Sequence, residues 1–256
     1  LISESIYLSI FIIIEYSFSA VSNSKNNNFI IQYLLSSFPF IIETNRYKLK
    51  IIEYLENSLN EYNNIDDFYN HFVWIPSFQQ FIKEKPKSEY YYLIPILKLF
   101  LQNTMSCLIL SDNNLFNPEI NEIDISKSFI NFTQNRNNYF EEIDELLNFI
   151  SFLSNDDFNT YFKNLSIFFC NSKNIESIPN FLSKLDCFMY VFRISFELLN
   201  DDTAESILND ILAIFFQVNF KSNPIAKKIL MIFLQNISQI IFNKCTITFM
   251  IKYIFT

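Results

Sequence analysis

Apolar residues recur at three- and four-residue spacings along most of the chain. Across 47–59, Tyr47, Ile51, Leu55 and Leu59 share one face with Ile52 beside them, while Lys48, Lys50, Glu53, Glu56 and Asn57 take the others. Across 139–153 the apolar set is Ile143, Leu146, Leu147, Ile150 and Leu153. Across 203–218 it is Ile207, Leu208, Ile211, Leu212, Phe215 and Val218, and across 226–242 it is Leu230, Phe233, Leu234, Ile237 and Ile241. These i, i+3, i+4, i+7 series mark helices that bury one face. Their stripes predict that Leu146, Leu147, Ile150, Ile211, Leu212, Phe215, Leu234 and Ile237 are buried.

Helix-start signals agree with the periodicity. Asn223-Pro224 and Asn117-Pro118 pair a capping residue with a first-turn proline. Asp202 and Glu205 have the spacing of an acidic capping box, and Thr44 can cap the helix that holds Arg46. Together the signals predict helices near 2–20, 27–37, 44–60, 65–82, 89–110, 118–136, 139–153, 155–170, 176–199, 203–219 and 224–243. The tail 245–256 alternates Ile247, Phe249, Ile251, Tyr253 and Phe255, which fits either a strand or a helix. Helices joined by short Asn- and Pro-marked loops give a period of about 40 residues per pair, that of HEAT and armadillo repeats. The expectation is an all-α fold, an α-solenoid of HEAT/armadillo-like helical hairpins. It runs as one continuous array over 1–256, opening inside a helix at Leu1 as a piece of a longer chain would. A compact irregular helical domain is the competing architecture.

Composition sharpens this picture mainly through glycine, of which the chain has none. Glycine lets backbone approach phosphates and supplies the positive φ of tight hairpin turns. Its absence removes glycine-containing dinucleotide, Walker and kinase phosphate loops and the G-x-S-x-G elbow. Helical hairpins lose least, because Asn can take the left-handed position after a helix. Asn63, Asn64, Asn113, Asn114 and Asn200 sit where such ends are expected. Half of the residues are apolar, ample for a core, although the Ile, Asn, Lys, Phe and Tyr bias is also the one AT-rich codons produce.

The net charge of −8 is opposite to what a nucleic-acid surface requires. The densest basic run, Lys83, Lys85 and Lys87, is interrupted by Glu84 and Pro86 and reads as a solvated loop; Lys227 and Lys228 form the other. Cys107, Cys170, Cys187 and Cys245 are dispersed, with no C-x-x-C spacing, and read as buried apolar residues rather than disulfides or zinc ligands. His71 is the single histidine and has no local cysteine partner. The expectation is therefore no metal and no organic cofactor. Glycosylation-type triplets at Asn131, Asn164 and Asn236 are chance matches in an Asn- and Ser-rich chain. The apolar runs 6–14 and 229–242 stop short of a clean membrane span.

Paired carboxylates are the remaining candidates for catalytic chemistry. Asp66/Asp67, Glu141/Glu142, Asp156/Asp157 and Asp201/Asp202 are each adjacent in sequence and fall at or near predicted helix starts. Negative charge there favours the helix dipole, which explains the pairs without acid–base catalysis. The chain is not expected to be an enzyme, and no catalytic, cofactor-binding or metal residue is assigned.

Residues 1–62 carry a resemblance. Helical segments 3–16 and 29–39 precede Asn-Arg-Tyr-Lys-Leu-Lys-Ile-Ile-Glu-Tyr-Leu-Glu at 45–56. With Glu4, Glu15, Pro39, Arg46 and Tyr54 in corresponding places, this resembles the importin-β superfamily of nuclear transport receptors, the karyopherins, in the transportin and exportin branch. The resemblance implies a superhelical receptor that binds protein cargo and the Ran GTPase and moves between cytoplasm and nucleus. The charge balance and the short apolar runs give the further expectation of no direct nucleic-acid and no membrane partner, and no residue is carried over as a Ran or cargo contact. Arg46 reads as a partner of Glu43 or Glu53. A general helical-repeat scaffold for protein–protein interaction would have the same composition.

Overall fold

The structure, a computed structural model, describes residues 9, 12, 45–60, 72, 74–109, 136–172, 178–215 and 224–244. Among these residues no strand occurs, and the regular elements are helical. They are α1 (Asn45–Asn60), α2 (Trp74–Ile82), a 3-10 turn (Lys87–Tyr90), α3 (Leu93–Leu108), α4 (Phe140–Leu153), α5 (Asn155–Ser172), α6 (Ile178–Ser195), α7 (Asp201–Phe215) and α8 (Pro224–Lys244). The all-α expectation therefore holds for the described chain. The predicted helices 2–20, 27–37 and 118–136, apart from Ser9, Ile12 and Arg136, and the tail 245–256 lie outside the described residues.

The chain divides into two compact units, Leu1–Cys107 and Leu108–Thr256. The first has a core of Leu55 and Leu59 from α1, Trp74, Ile75, Phe78 and Ile82 from α2, and Leu93, Ile96, Leu97, Phe100 and Leu101 from α3. Trp74 and Phe78 meet edge to face, with ring centres 5.4 Å apart. The Asn103 side-chain amide on α3 donates to the Leu59 carbonyl near the end of α1, an acceptor that the helix itself leaves unpaired. The sequence 89–110 reads as one helix, but the structure divides it into the 3-10 turn and α3. Tyr90 packs edge-on to Phe81 at the end of the turn, and Pro95 falls in the first turn of α3, where its missing N–H costs nothing.

In the second unit most helix contacts join helices two places apart in the chain, although α4 packs as much on α5 as on α6. α4 and α6, α6 and α8, and α5 and α7 are neighbours, with α5 also against α4 and α6, and α8 against α7. The stripes predicted from periodicity supply this core: Ile143, Leu146, Leu147, Ile150 and Leu153 on α4, and Ile207, Leu208, Ile211, Leu212 and Phe215 on α7, are all buried. α6 is buried on nearly every face and carries a line of rings. Phe169 of α5 stacks on Phe188 at 4.8 Å, Phe188 lies 6.2 Å from Phe192, and Phe192 lies 5.5 Å from Phe196. Phe192 also meets Phe233 of α8, with centres 6.2 Å apart.

That last contact corrects one expectation. Leu234 is half-buried, as is Leu230, and the buried line of α8 is Ala226, Ile229, Phe233 and Ile237. Docking the large Phe233 ring on Phe192 sets the rotation of α8 and moves both leucines to the edge of the contact. The 3.6-residue period was right in spacing and displaced in phase.

One helix start differs from the expected one. The capping residue of α7 is Asn200, whose side-chain oxygen accepts from the Thr203 N–H at 2.8 Å while its carbonyl accepts from the Ala204 N–H at 2.9 Å. Asp202 and Glu205 are therefore not a capping box; Asp201 and Asp202 occupy the first turn. Nor is Asn200 left-handed, since no described residue has positive φ. Its own N–H donates to the Asn159 side-chain oxygen on α5 at 2.9 Å, which fixes the corner between α6 and α7. Asn200→Ala should cost about 1 kcal/mol, the usual worth of such a cap, read from the urea midpoint. An unchanged midpoint would show the cap to be idle.

Ser154 alone separates α4 from α5. Its N–H closes the end of α4 on the Ile150 carbonyl at 3.1 Å, and its hydroxyl accepts from the Asp157 N–H at 3.3 Å. α6 ends at Ser195, earlier than the periodicity suggests, because the Ser195 carbonyl takes both the Leu198 and Leu199 N–H groups in a closing turn.

Candidate functional site

Among the described residues, the densest group of buried ionisable side chains lies in the second unit, between the approach to α4 and one face of α6. Arg136 is 4% exposed, and its Nη1 lies 2.9 Å from Oδ2 of Asp186, whose side chain is 12% exposed. Arg136 Nη2 donates to the Leu108 carbonyl at 3.1 Å. The Tyr190 hydroxyl, one helical turn along α6 from Asp186, donates to the Arg136 carbonyl at 2.9 Å. The Tyr190 ring sits beside two guanidinium groups, 5.3 Å from Arg136 and 5.4 Å from Arg193. Arg193 also lies 5.6 Å from the ring of Phe140, so its charge is held between two π faces.

The spacing on α6 places these groups together. Asp186, Tyr190 and Arg193 stand four and three positions apart and share a face, with Cys187 beside them. Burial pushes the Asp186 carboxyl up, and the Arg136 guanidinium opposes that rise. Burial also pushes the Cys187 thiol up to about 12, with Arg136 lowering it and Asp186 raising it. The Tyr190 hydroxyl is pushed up to about 12, again first by burial, and burial lowers Arg193. Both the thiol and the phenol are thus kept protonated at neutral pH, and a protonated thiol is a poor nucleophile. What this arrangement does well is hold: it fixes one backbone carbonyl, one guanidinium and one carboxylate against α6.

Residues weighed from sequence fall as follows. Cys107 is half-buried on α3 and Cys187 fully buried on α6, whereas His71 and Cys245 lie outside the described residues. Asp156/Asp157 and Asp201/Asp202 occupy the first turns of α5 and α7, and Glu141/Glu142 that of α4, as the dipole argument expects. Asp66/Asp67 lie outside the described residues. Lys85 packs its ammonium 3.7 Å from the centre of the Phe81 ring, between the exposed Lys83 and Lys87. Among the described residues no group of His, Cys, Asp or Glu is placed to hold a metal ion, and no helix is long and apolar enough to cross a membrane.

The Arg136–Asp186–Tyr190 cluster was not anticipated, yet a signal for half of it exists. Asp186 is the lone carboxylate in the run Phe181–Phe196, whose other residues are mostly large and apolar. A charge in such a run demands a partner.

Carboxyls on the surface side of α4 share the upward direction. Burial raises Asp144, opposed by a hydrogen bond with Asn148 and reinforced by Glu197. Burial also raises Glu145, followed by the charges of Glu142 and Asp144. A carboxyl with a higher pKa in the folded state takes up protons there more readily. Its contribution to stability is full below the unfolded value and is lost as pH rises through the folded value. Lowering the pH from neutral into the ordinary carboxyl range should therefore raise the thermal midpoint, and Asp144→Asn should flatten that slope. A midpoint that falls over this interval would refute the assignment.

No family model matches the chain, and no curated protein and no solved structure shows significant similarity to it.

Proposed function

We propose that the chain is a helical-repeat scaffold that binds other proteins. The observation that supports it is the packing order of α4 to α8, in which α4, α6 and α8 form one series of neighbours and α5 and α7 pack on each other beside it. That order is what stacked hairpins of a HEAT- or armadillo-type solenoid produce, each hairpin burying its apolar face on the next. Scaffolds of this kind recognise partners through broad surfaces. The outer face of α5 exposes Ile167 and Phe168, 48% and 60% accessible, beside Lys163 and Asn164. The test is cross-linking of the full-length protein to its co-purifying partners, with the linked lysines identified. Partner links concentrated on Lys163 of α5 or Lys227 of α8 agree with the reading. Purified protein that carries no stoichiometric protein partner refutes it.

A second, narrower reading is a nuclear transport receptor of the importin-β type. It is favoured by the ordered run Glu4, Glu15, Pro39, Arg46 and Tyr54, the last two on α1. On this reading the protein binds cargo and the Ran GTPase and shuttles between cytoplasm and nucleus. An effector shifts cargo binding only if it distinguishes bound from free receptor. Addition of GTP-locked Ran should release cargo from an importer and recruit it to an exporter. Partners recovered equally with and without it leave the general scaffold.

A further inference from the structure

Residues 136–142 are attached to the second unit differently from the rest of α4. Asn137, Asn138, Phe140 and Glu141 are exposed, and the first fully buried apolar side chain is Ile143. Beyond it Leu146, Leu147, Phe149 and Ile150 are all in the core. Polar contacts fasten the start of 136–142: the Arg136–Asp186 ion pair, the Tyr190 hydroxyl on the Arg136 carbonyl, and the Arg193 guanidinium near the Phe140 ring. A buried ion pair gives back in attraction roughly what its desolvation costs, so its net contribution is small. Segments with few buried apolar contacts open before the global unfolding of a domain. Next in sequence to Asp186 lies the fully buried Cys187, near enough to Arg136 and Asp186 to feel both charges.

We infer that residues 136–142 form a charge-locked strap over α6, whose release needs less energy than global unfolding of the second unit and uncovers Cys187. The ionisable groups facing the lock are Arg136 and Glu142 from the α4 side, and Asp186, Cys187, Tyr190 and Arg193 from α6. The opening is a hinge near Ile143, where apolar anchoring begins, and leaves the α5–α7 contact in place.

Alkylation of the full chain with iodoacetamide, resolved by cysteine and measured across a urea series, tests this. Cys187 of the wild-type protein should label through an opening that is insensitive to low urea, because releasing so short a strap exposes little surface. Only at higher urea should it join the steep limb of global unfolding. Arg136→Met and Asp186→Asn should each raise the flat limb about 10- to 100-fold, since either leaves a buried charge without its partner or weakens the pair. The half-buried Cys107 on α3 is the internal reference for reagent activity. If wild-type Cys187 follows the urea slope of global unfolding throughout, the strap does not exist as an independent opening. The same conclusion follows if the variants shift only the steep limb. The wild-type series decides the question even where a variant folds poorly.

Discussion

Phe192→Ala should destabilise the second unit by about 3–5 kcal/mol, the range for deleting a fully buried aromatic ring. The side chain is 0% exposed and meets Phe188, Phe196 and Phe233, so its removal opens a space bordered by rings on α6 and α8. Rigid rings on helices close such a space poorly, which favours the upper part of the range. Urea unfolding followed by helical circular dichroism should show the loss as an earlier midpoint with an unaltered slope. Trp74, the single tryptophan, lies in the first unit, so its fluorescence follows a different part of the chain from the substitution. A loss below about 1 kcal/mol would mean that α8 slides to refill the gap and that the Phe192–Phe233 contact does not set its rotation.

The Arg136–Asp186 pair should respond unequally to the loss of either partner. Asp186→Leu leaves a guanidinium that cannot shed its proton inside the protein, and should cost about 3–5 kcal/mol. Arg136→Met leaves a carboxyl that burial already pushes toward its neutral form, so its cost should be smaller and should shrink as the pH is lowered. The double variant Arg136→Met/Asp186→Leu removes both charges and should return most of the loss, because a buried pair is commonly no better than an apolar one of similar size. A double-mutant cycle on urea midpoints reads the coupling directly. Losses that simply add would show that the two side chains act independently, against the 2.9 Å separation.

Local rules carry the sequence reading a long way in α4 and α7. Their apolar stripes, first-turn acids and short connections depend on neighbours three or four residues apart, and a linear pattern contains that information. It failed where a distant residue decides. The phase of α8 follows from a ring on α6, and the cap at Asn200 is supported by Asn159, 41 positions earlier. The buried cluster lies further still beyond local pattern, since Tyr190 and Arg136 are 54 positions apart. Arg136 reads from sequence as a polar residue at the end of a predicted helix, with nothing nearby to mark it as buried. Asp186 is different: an isolated carboxylate among phenylalanines signals a missing partner, though not which residue supplies it.

The one-residue junction at Ser154 has a kinetic meaning. Ordering α5 against α4 requires the closure of almost no intervening chain, so the entropic penalty for that contact is near its minimum. The α6–α4 and α5–α7 contacts enclose whole helices and become favourable only after longer loops are fixed. Folding of the second unit should then begin at the α4–α5 corner. Substitutions in the core of those two helices would slow refolding, whereas those at the α6–α8 contact, made late, would mainly hasten unfolding.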